Sequence, residues 1–451
     1  MSIFVLLLCY MLFVSPLGFL RDGATARHIV SGQYMLSHGT PATTNFLWLL
    51  DPQSPWCTHE LFTDFILAFL YNTAHGEYQY MVLASAIAMS AALALAAKQA
   101  SLETAPKYIV GIATVLATLA TSIHWSCRAH IFSYVFFVLA ICLLRSNLGL
   151  KIKSLFIFLN FVLWINFHGS AILGLPLVLL SRSGKIGHWL CLAAAALLGM
   201  SCSLRGPAYF GFLGAYAGQG QILGQGSEWA GFDTAYGIGT WAFIALIVLN
   251  LIARFKSNKG KSFLNLEFIM PTFLLLGFSA AALLAMRILP YAALLALATL
   301  APSLAPTKRA LKYLTPMLTG AALAILAAFA CTQHIGDMHP AFLPVRCTDY
   351  LKAHPPKSAI GFCYDNWGDY IYIKTGLKYF IDDRTEFYPK DFNVAYRAAL
   401  MAEPGAKDFL KESKFSYVLI PTNSPLAALL NTDSDYQIVE RDLDALLFYS
   451  K

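Results

Sequence analysis

The chain runs apolar, again and again, for about the thickness of a bilayer. Such runs lie near residues 3–20, 79–97, 108–124, 131–145, 153–167, 169–181, 187–204, 237–254, 264–285, 288–305 and 314–332. A helix crosses the hydrocarbon core in about 17–25 residues, and backbone amides in lipid are satisfied only inside helices or closed barrels. The pattern predicts an α-helical polytopic membrane protein of about 11–13 spans. Only 13% of the residues are charged and 57% are hydrophobic, where a soluble domain carries about 25% charge. A soluble multidomain protein, a disordered chain, a coiled coil and a small disulfide scaffold are excluded at this step. Met1–Leu20 lacks a basic leader and a small-x-small cleavage site, so it reads as an uncleaved first span. Segment 60–74 is a twelfth, weaker candidate; an outer C-terminal domain requires that it lie in the interface or re-enter, as its shortness favours, or that a further short span brings the total to thirteen.

Charge divides the chain at Pro340. Residues 1–339 hold 19 Lys and Arg against 10 Asp and Glu; residues 340–451 hold 13 against 15. The first part reads as a membrane body and the second as a soluble α/β domain. Fourteen of the 19 cations fall in the loops Lys98–Lys107, Arg145–Lys153, Arg182–Lys185, Arg254–Lys261 and Lys308–Lys312. Basic short loops face the cytoplasm, which places the C-terminal domain, and the loops 21–59 and 205–236, on the outer face.

The remaining cations of the body are Arg21, Arg27, Arg128, Arg205 and Arg287, all arginine. Topology needs only charge, whereas a planar guanidinium grips phosphate or carboxylate with two bonds. Snorkelling at helix ends is the competing structural account. His28, His59, His124, His130 and His168 also fall at predicted outer ends. Together they suggest one polar pocket at the interface, although none has the spacing of a zinc site. Loop 21–59 is the richest segment. Its residues 24–37 can form an amphipathic helix on the membrane, with Ile29, Met35 and Leu36 apolar and Arg27, His28 and Gln33 polar. Asp22 either caps that helix or acts as a general base near Arg and His.

The acid after the first span, followed by "ARHIVSGQYMLSHGTP" and "PWCTHELFTDFILAFLY", resembles the first outer loop of GT-C membrane glycosyltransferases. Among these are the protein O-mannosyltransferases and the lipid A aminoarabinose transferases. The likeness is nearer still to poorly characterised bacterial multi-span proteins of the same layout. It extends loosely through "CRAHIFSYVFFVLAICLL", "LWINFHGSAILGLPLVLL" and "YDNWGDYIYIKTGLKYFIDDRTEFYP". The resemblance implies transfer of a sugar from a polyprenyl-phosphate carrier to an extracytoplasmic glycan, lipid or protein at the inner (plasma) membrane. It puts the catalytic acid on Asp22 and a second acidic position on Glu60, beside His59, and implies Arg27 and Arg128 for the carrier phosphate. Gly23 stands where the mannosyltransferases have a second acid, and the Glu-Lys-Pro element of the aminoarabinose transferases is absent.

We add His28, His130, His168, Arg205, Glu228 and Arg287 as candidate substrate contacts, Glu228 being the second choice for a functional acid. No cofactor is implied firmly; a divalent cation is compatible. No Walker loop or Rossmann fingerprint occurs, as expected where the donor is carried in the membrane. Basicity belongs to the membrane loops and does not argue for nucleic acid. In the C-terminal domain, strands are predicted at 358–364, 377–382, 416–421, 436–440 and 444–449, and helices at 392–402, 406–413 and 424–430. Asp365-Asn366-Trp367-Gly368-Asp369 reads as a turn, and Asp383 and Arg384 as a structural pair. Cys347 and Cys363 could bridge in an oxidising compartment, with Cys57 a separate thiol. Two rival functions stand beside the transferase: a transporter or flippase of an anionic lipid-linked substrate, and a non-catalytic envelope-assembly protein.

Overall fold

The computed structural model describes the chain except residues 1–2, 57, 103–105, 207–208, 210, 212–230, 234–236, 259–264, 301–327, 330–331 and 385–386. Among the described residues, five helices are long and apolar enough to cross a membrane: Gln79–Leu102, Lys107–His124 with its last turn 3-10, Leu150–Phe167, Ile238–Ser257 and Leu266–Leu284. Shorter apolar helices, including Ile3–Val14, Ala129–Arg145, Gly169–Leu180, Ile186–Ser201 and Met286–Ala298, pack among them. Helix Gln79–Leu102 is rich in alanine and serine and buries Ala86, Ser90, Ala92 and Ala96. Small residues let helices approach closely where lipid supplies no hydrophobic drive. The outer faces carry Leu155, Leu159, Leu163, Trp241, Val248 and Ile252, all exposed, as a lipid-facing surface requires. The expected run 314–332 lies almost wholly outside the described residues.

Segment 60–74 forms a helix at Leu61–Thr73. Thirteen residues rise about 20 Å, short of the roughly 30 Å hydrocarbon core. It packs against the loop helix Ala24–His38. Gly32 permits the contact, since a Cβ there would lie 2.0 Å from the Asp64 carbonyl oxygen. The loop helix differs from the expected surface-lying one: residues 24–32 are buried on every side, Arg27 and His28 included. Its polar groups turn inward because the C-terminal unit covers the face that was expected to meet water.

That unit is a four-stranded mixed sheet in the order β1 (Gly361–Cys363), β2 (Tyr417–Pro421), β4 (Ala445–Ser450), β3 (Tyr436–Arg441). β1 and β2 are parallel, and the other pairs antiparallel. Helices Lys390–Leu400, Ala406–Glu412 and Pro425–Asn431 lie where expected; Val345–Ala353 and Gly368–Thr375 were not anticipated. The expected strand 377–382 does not join the sheet. Its Tyr379 instead bridges to Trp48 in the first loop, and the Leu49 amide donates to the Tyr379 carbonyl at 2.9 Å. The Trp48 indole donates to the Phe380 carbonyl at 3.1 Å and packs on Tyr388 and Phe392. Residues 365–369 are a 3-10 turn leading into the helix Gly368–Thr375.

Cys347 and Cys363, which the sequence left open as a possible bridge, are free, buried thiols. Cys347 lies against Ala445 of β4, whereas Cys363 belongs to β1. Two strand spacings separate those strands, about 10 Å, beyond the roughly 7 Å that a disulfide spans. Cys57 lies outside the described residues.

Candidate functional site

Three stretches distant in sequence meet above the membrane helices: the loop 21–64, the turn before Ala129–Arg145, and residues 382–384 of the C-terminal unit. Asp22 joins the first two. One carboxylate oxygen accepts from the Ala24 amide at 3.0 Å, capping the loop helix, and the other accepts from Arg128 at 2.6 Å. Asp22 therefore lies at the start of the loop helix and against Arg128, with both oxygens engaged.

Glu60 is the hub of the second half. Its Oε2 lies 3.2 Å from Arg27 Nη2 and 3.8 Å from His28 Nδ1, and its Oε1 lies 3.7 Å from His59 and 3.4 Å from His168. Burial alone would raise its carboxyl, but His59, His28, Arg27 and His168 crowd it and hold it well below the usual range. His59 moves the opposite way: burial, reinforced by the charges of Arg27 and Arg287, pushes it down to about 4 against the pull of Glu60. At neutral pH, Glu60 is an anion and His59 a neutral imidazole.

Arg27 and Arg128 converge on a third carboxylate. Arg27 Nη1 is 3.7 Å from Asp383 Oδ1, and Arg128 Nη2 is 3.7 Å from Asp383 Oδ2. Burial opposes the charge of Arg27, yet Asp383 and Glu60 more than restore it. The expected Asp383–Arg384 pair does not form. Arg384 folds back onto Asp382, donating from Nε at 2.8 Å, and also reaches Asn45 at 2.9 Å and the Tyr379 hydroxyl at 2.5 Å. Trp56 lies 4.5 Å from its guanidinium. This neutralised clamp ties the C-terminal unit to the first loop and leaves Asp383 turned toward the two arginines.

The rest of the expected set divides. His168 reaches the cluster through Glu60, and the charge of Arg287 bears on His59. His130 is spent on the His124 carbonyl at 2.8 Å, and Arg21 on the carbonyls of Gly18 and Ser122, both at 2.9 Å. Those bonds fit the structural account of outer cations. Arg205 lies in the turn after helix Ile186–Ser201, its amide bonded to Ser203. Glu228 lies outside the described residues.

Two site residues were missed. Asp64 accepts from Thr58 at 2.5 Å and bonds His28 Nδ1 at 2.6 Å. Its place four residues after Glu60, on one helical face, was the available signal. Asp383 had none beyond its acidic neighbour, because its partners lie more than 250 residues away. His28, Glu60 and Asp64 present ligand atoms within 4.8 Å of one another, one imidazole and two carboxylates, a set that a divalent cation would accept. Such an ion would have to replace the bond between His28 and Asp64.

No protein-family profile and no curated protein matches this sequence. Solved structures do. The oligosaccharyltransferase AglB of Archaeoglobus fulgidus, in complex with an inhibitory peptide and a dolichol-phosphate, aligns with a TM-score of 0.56 at 10% identity over 93% of this chain and 68% of that one. The same enzyme tethered to an acceptor peptide gives the same values. ArnT from Cupriavidus metallidurans bound to undecaprenyl phosphate covers 99% of this chain and 97% of its own, at 12% identity and a TM-score of 0.46. The chain is thus a helical membrane protein with a GT-C-like fold and a small C-terminal sheet.

Proposed function

We propose that this chain is a membrane glycosyltransferase that moves a sugar from a polyprenyl-phosphate carrier to an extracytoplasmic acceptor. The reading places the C-terminal unit, residues 340–451, on the outer face of the inner membrane and the body, residues 1–339, within it. The observation that carries it is the convergence of Asp22, Glu60 and Asp383 on Arg27 and Arg128 within a GT-C-like fold. AglB, solved with a dolichol-phosphate, lends support to a lipid-linked donor.

Displacing a sugar from phosphate needs cations for the leaving group and a base for the entering hydroxyl. Arg27 and Arg128 supply the first. Their guanidiniums are fixed by Glu60 and Asp22, so they stabilise the developing phosphate charge without reorganising. The carboxylates facing them, Asp22, Glu60 and Asp383, supply the acid–base side. The permanent charge of Arg27 keeps Glu60 ionised, and Glu60 in turn keeps Arg27 aimed.

The test is incubation of the purified full chain with a panel of polyprenyl-phosphate sugars, following release of the carrier. Wild type should release it, and Asp22→Asn, expressed at wild-type level, should not. Near-normal transfer by Asp22→Asn removes Asp22 from the assignment. Passage of an intact carrier across the membrane without release supports a flippase, and neither outcome leaves the assembly role.

A further inference from the structure

We propose that Asp383, delivered by the C-terminal unit, is a catalytic residue of this site and takes the proton from the acceptor hydroxyl. This rests on the transferase reading above. The three carboxylates facing the arginines are not equivalent. Asp22 has both oxygens bonded, one to a helix amide and one to Arg128. Glu60 is ringed by Arg27 and three histidines. Asp383 stands 3.7 Å from each arginine, beyond hydrogen-bond length, and its buried Oδ1 has no hydrogen-bond partner. An orphaned buried carboxylate oxygen is costly, and a hydroxyl arriving between Asp383 and the phosphate site satisfies it.

The position is built. Asp382 and Arg384 on either side are locked to each other and to Asn45 and Tyr379, so the residue between them is aimed by its neighbours. Docking is close: a Cβ on Gly23, the residue after Asp22, would lie 1.6 Å from the Asn366 carbonyl oxygen. A glycine there lets the C-terminal unit sit directly on the end of the first span. Burial also pushes the Asp383 carboxyl above its ordinary range, only partly countered by Arg27 and Arg128, with Asp382 adding to the rise. A raised carboxyl is a better proton acceptor.

In the step, the acceptor oxygen bonds to the anomeric carbon as the bond from that carbon to the phosphate oxygen breaks. The electron pair leaves with the polyprenyl phosphate, held by Arg27 and Arg128. The hydroxyl proton passes to Asp383 Oδ1 and then to water.

The test compares Asp383→Asn, Asp383→Glu and wild type as purified full chains, measuring both transfer and binding of polyprenyl phosphate. General-base loss predicts that Asp383→Asn binds the carrier within about threefold of wild type, or more tightly, but transfers about 100-fold slower or worse, with Asp383→Glu partly restored. The wild-type rate should rise with pH along a limb that Asp383→Asn lacks. Asp383→Asn transferring at near wild-type rate overturns the proposal. So does joint loss of binding and transfer, the mark of a structural role. A wild type that neither binds nor transfers any panel member removes the transferase reading, and the proposal with it.

Discussion

At the scale of single residues, Gly23 and His59 show how the site is held. Gly23→Ala places a methyl group against the Asn366 carbonyl, and overpacking of this kind costs about 1–3 kcal/mol. Limited proteolysis should cut the C-terminal unit faster in that variant; an unchanged rate would contradict close docking. His59 is pushed down to about 4 by burial, so the unfolded chain binds its proton first as pH falls. Stability due to this group is therefore present above about pH 6.5 and declines between there and pH 4, by about 3 kcal/mol in all. Glu60, held low by its histidine and arginine neighbours, adds to the loss on acidification below about pH 4.3. His59→Gln should flatten thermal stability between pH 6.5 and 4; an unaltered profile would show that His59 is not buried uncharged. Of these residues, Asp22, Glu60, His59, Arg27 and Arg128 were legible from sequence, because rare charges in an apolar chain stand out. Asp383 was not, since the C-terminal unit is rich in acids and nothing local marks one that crosses to the membrane body.

Among the elements, the helix Ala24–His38 and the strap at Trp48 both meet the C-terminal unit. The helix was readable from its period; in the structure Gly39, with a φ of 71°, ends it. Its burial was not readable, because a polar face looks the same in sequence whether it meets water or an arginine cluster. Segment 377–382 is the converse case. Its β-forming run predicted a sheet strand, yet its backbone is satisfied by Trp48 and Leu49. Trp48→Ala removes the bond to Phe380 and the ring contacts with Tyr388 and Phe392. Truncations of this size cost about 3–5 kcal/mol. Hydrogen exchange should quicken at 377–384 while helix Gln79–Leu102 stays protected; uniform protection would contradict the strap.

For the whole molecule, the apolar runs anticipated the fold class: apolar helices with a small C-terminal sheet. The proposed orientation rests on the basic loops alone, and it is testable. A cysteine at Lys407, on the exposed side of the C-terminal unit, should react with a membrane-impermeant thiol reagent on intact cells. One at Lys151 should react only after permeabilisation. Labelling of both from the same side would reverse the topology on which the proposed function depends.

The central claim is that Arg27 and Arg128 hold a lipid-linked phosphate, and affinity for polyprenyl phosphate tests it most directly. Arg128→Lys keeps the charge and loses the planar fork. It should weaken binding at least about tenfold, as loss of a charge-assisted bond worth about 1.5–3 kcal/mol requires. Arg346→Gln, an exposed arginine of the C-terminal unit paired only at the surface with Glu440, should bind as wild type does. Equal affinity in wild type and Arg128→Lys would contradict the account.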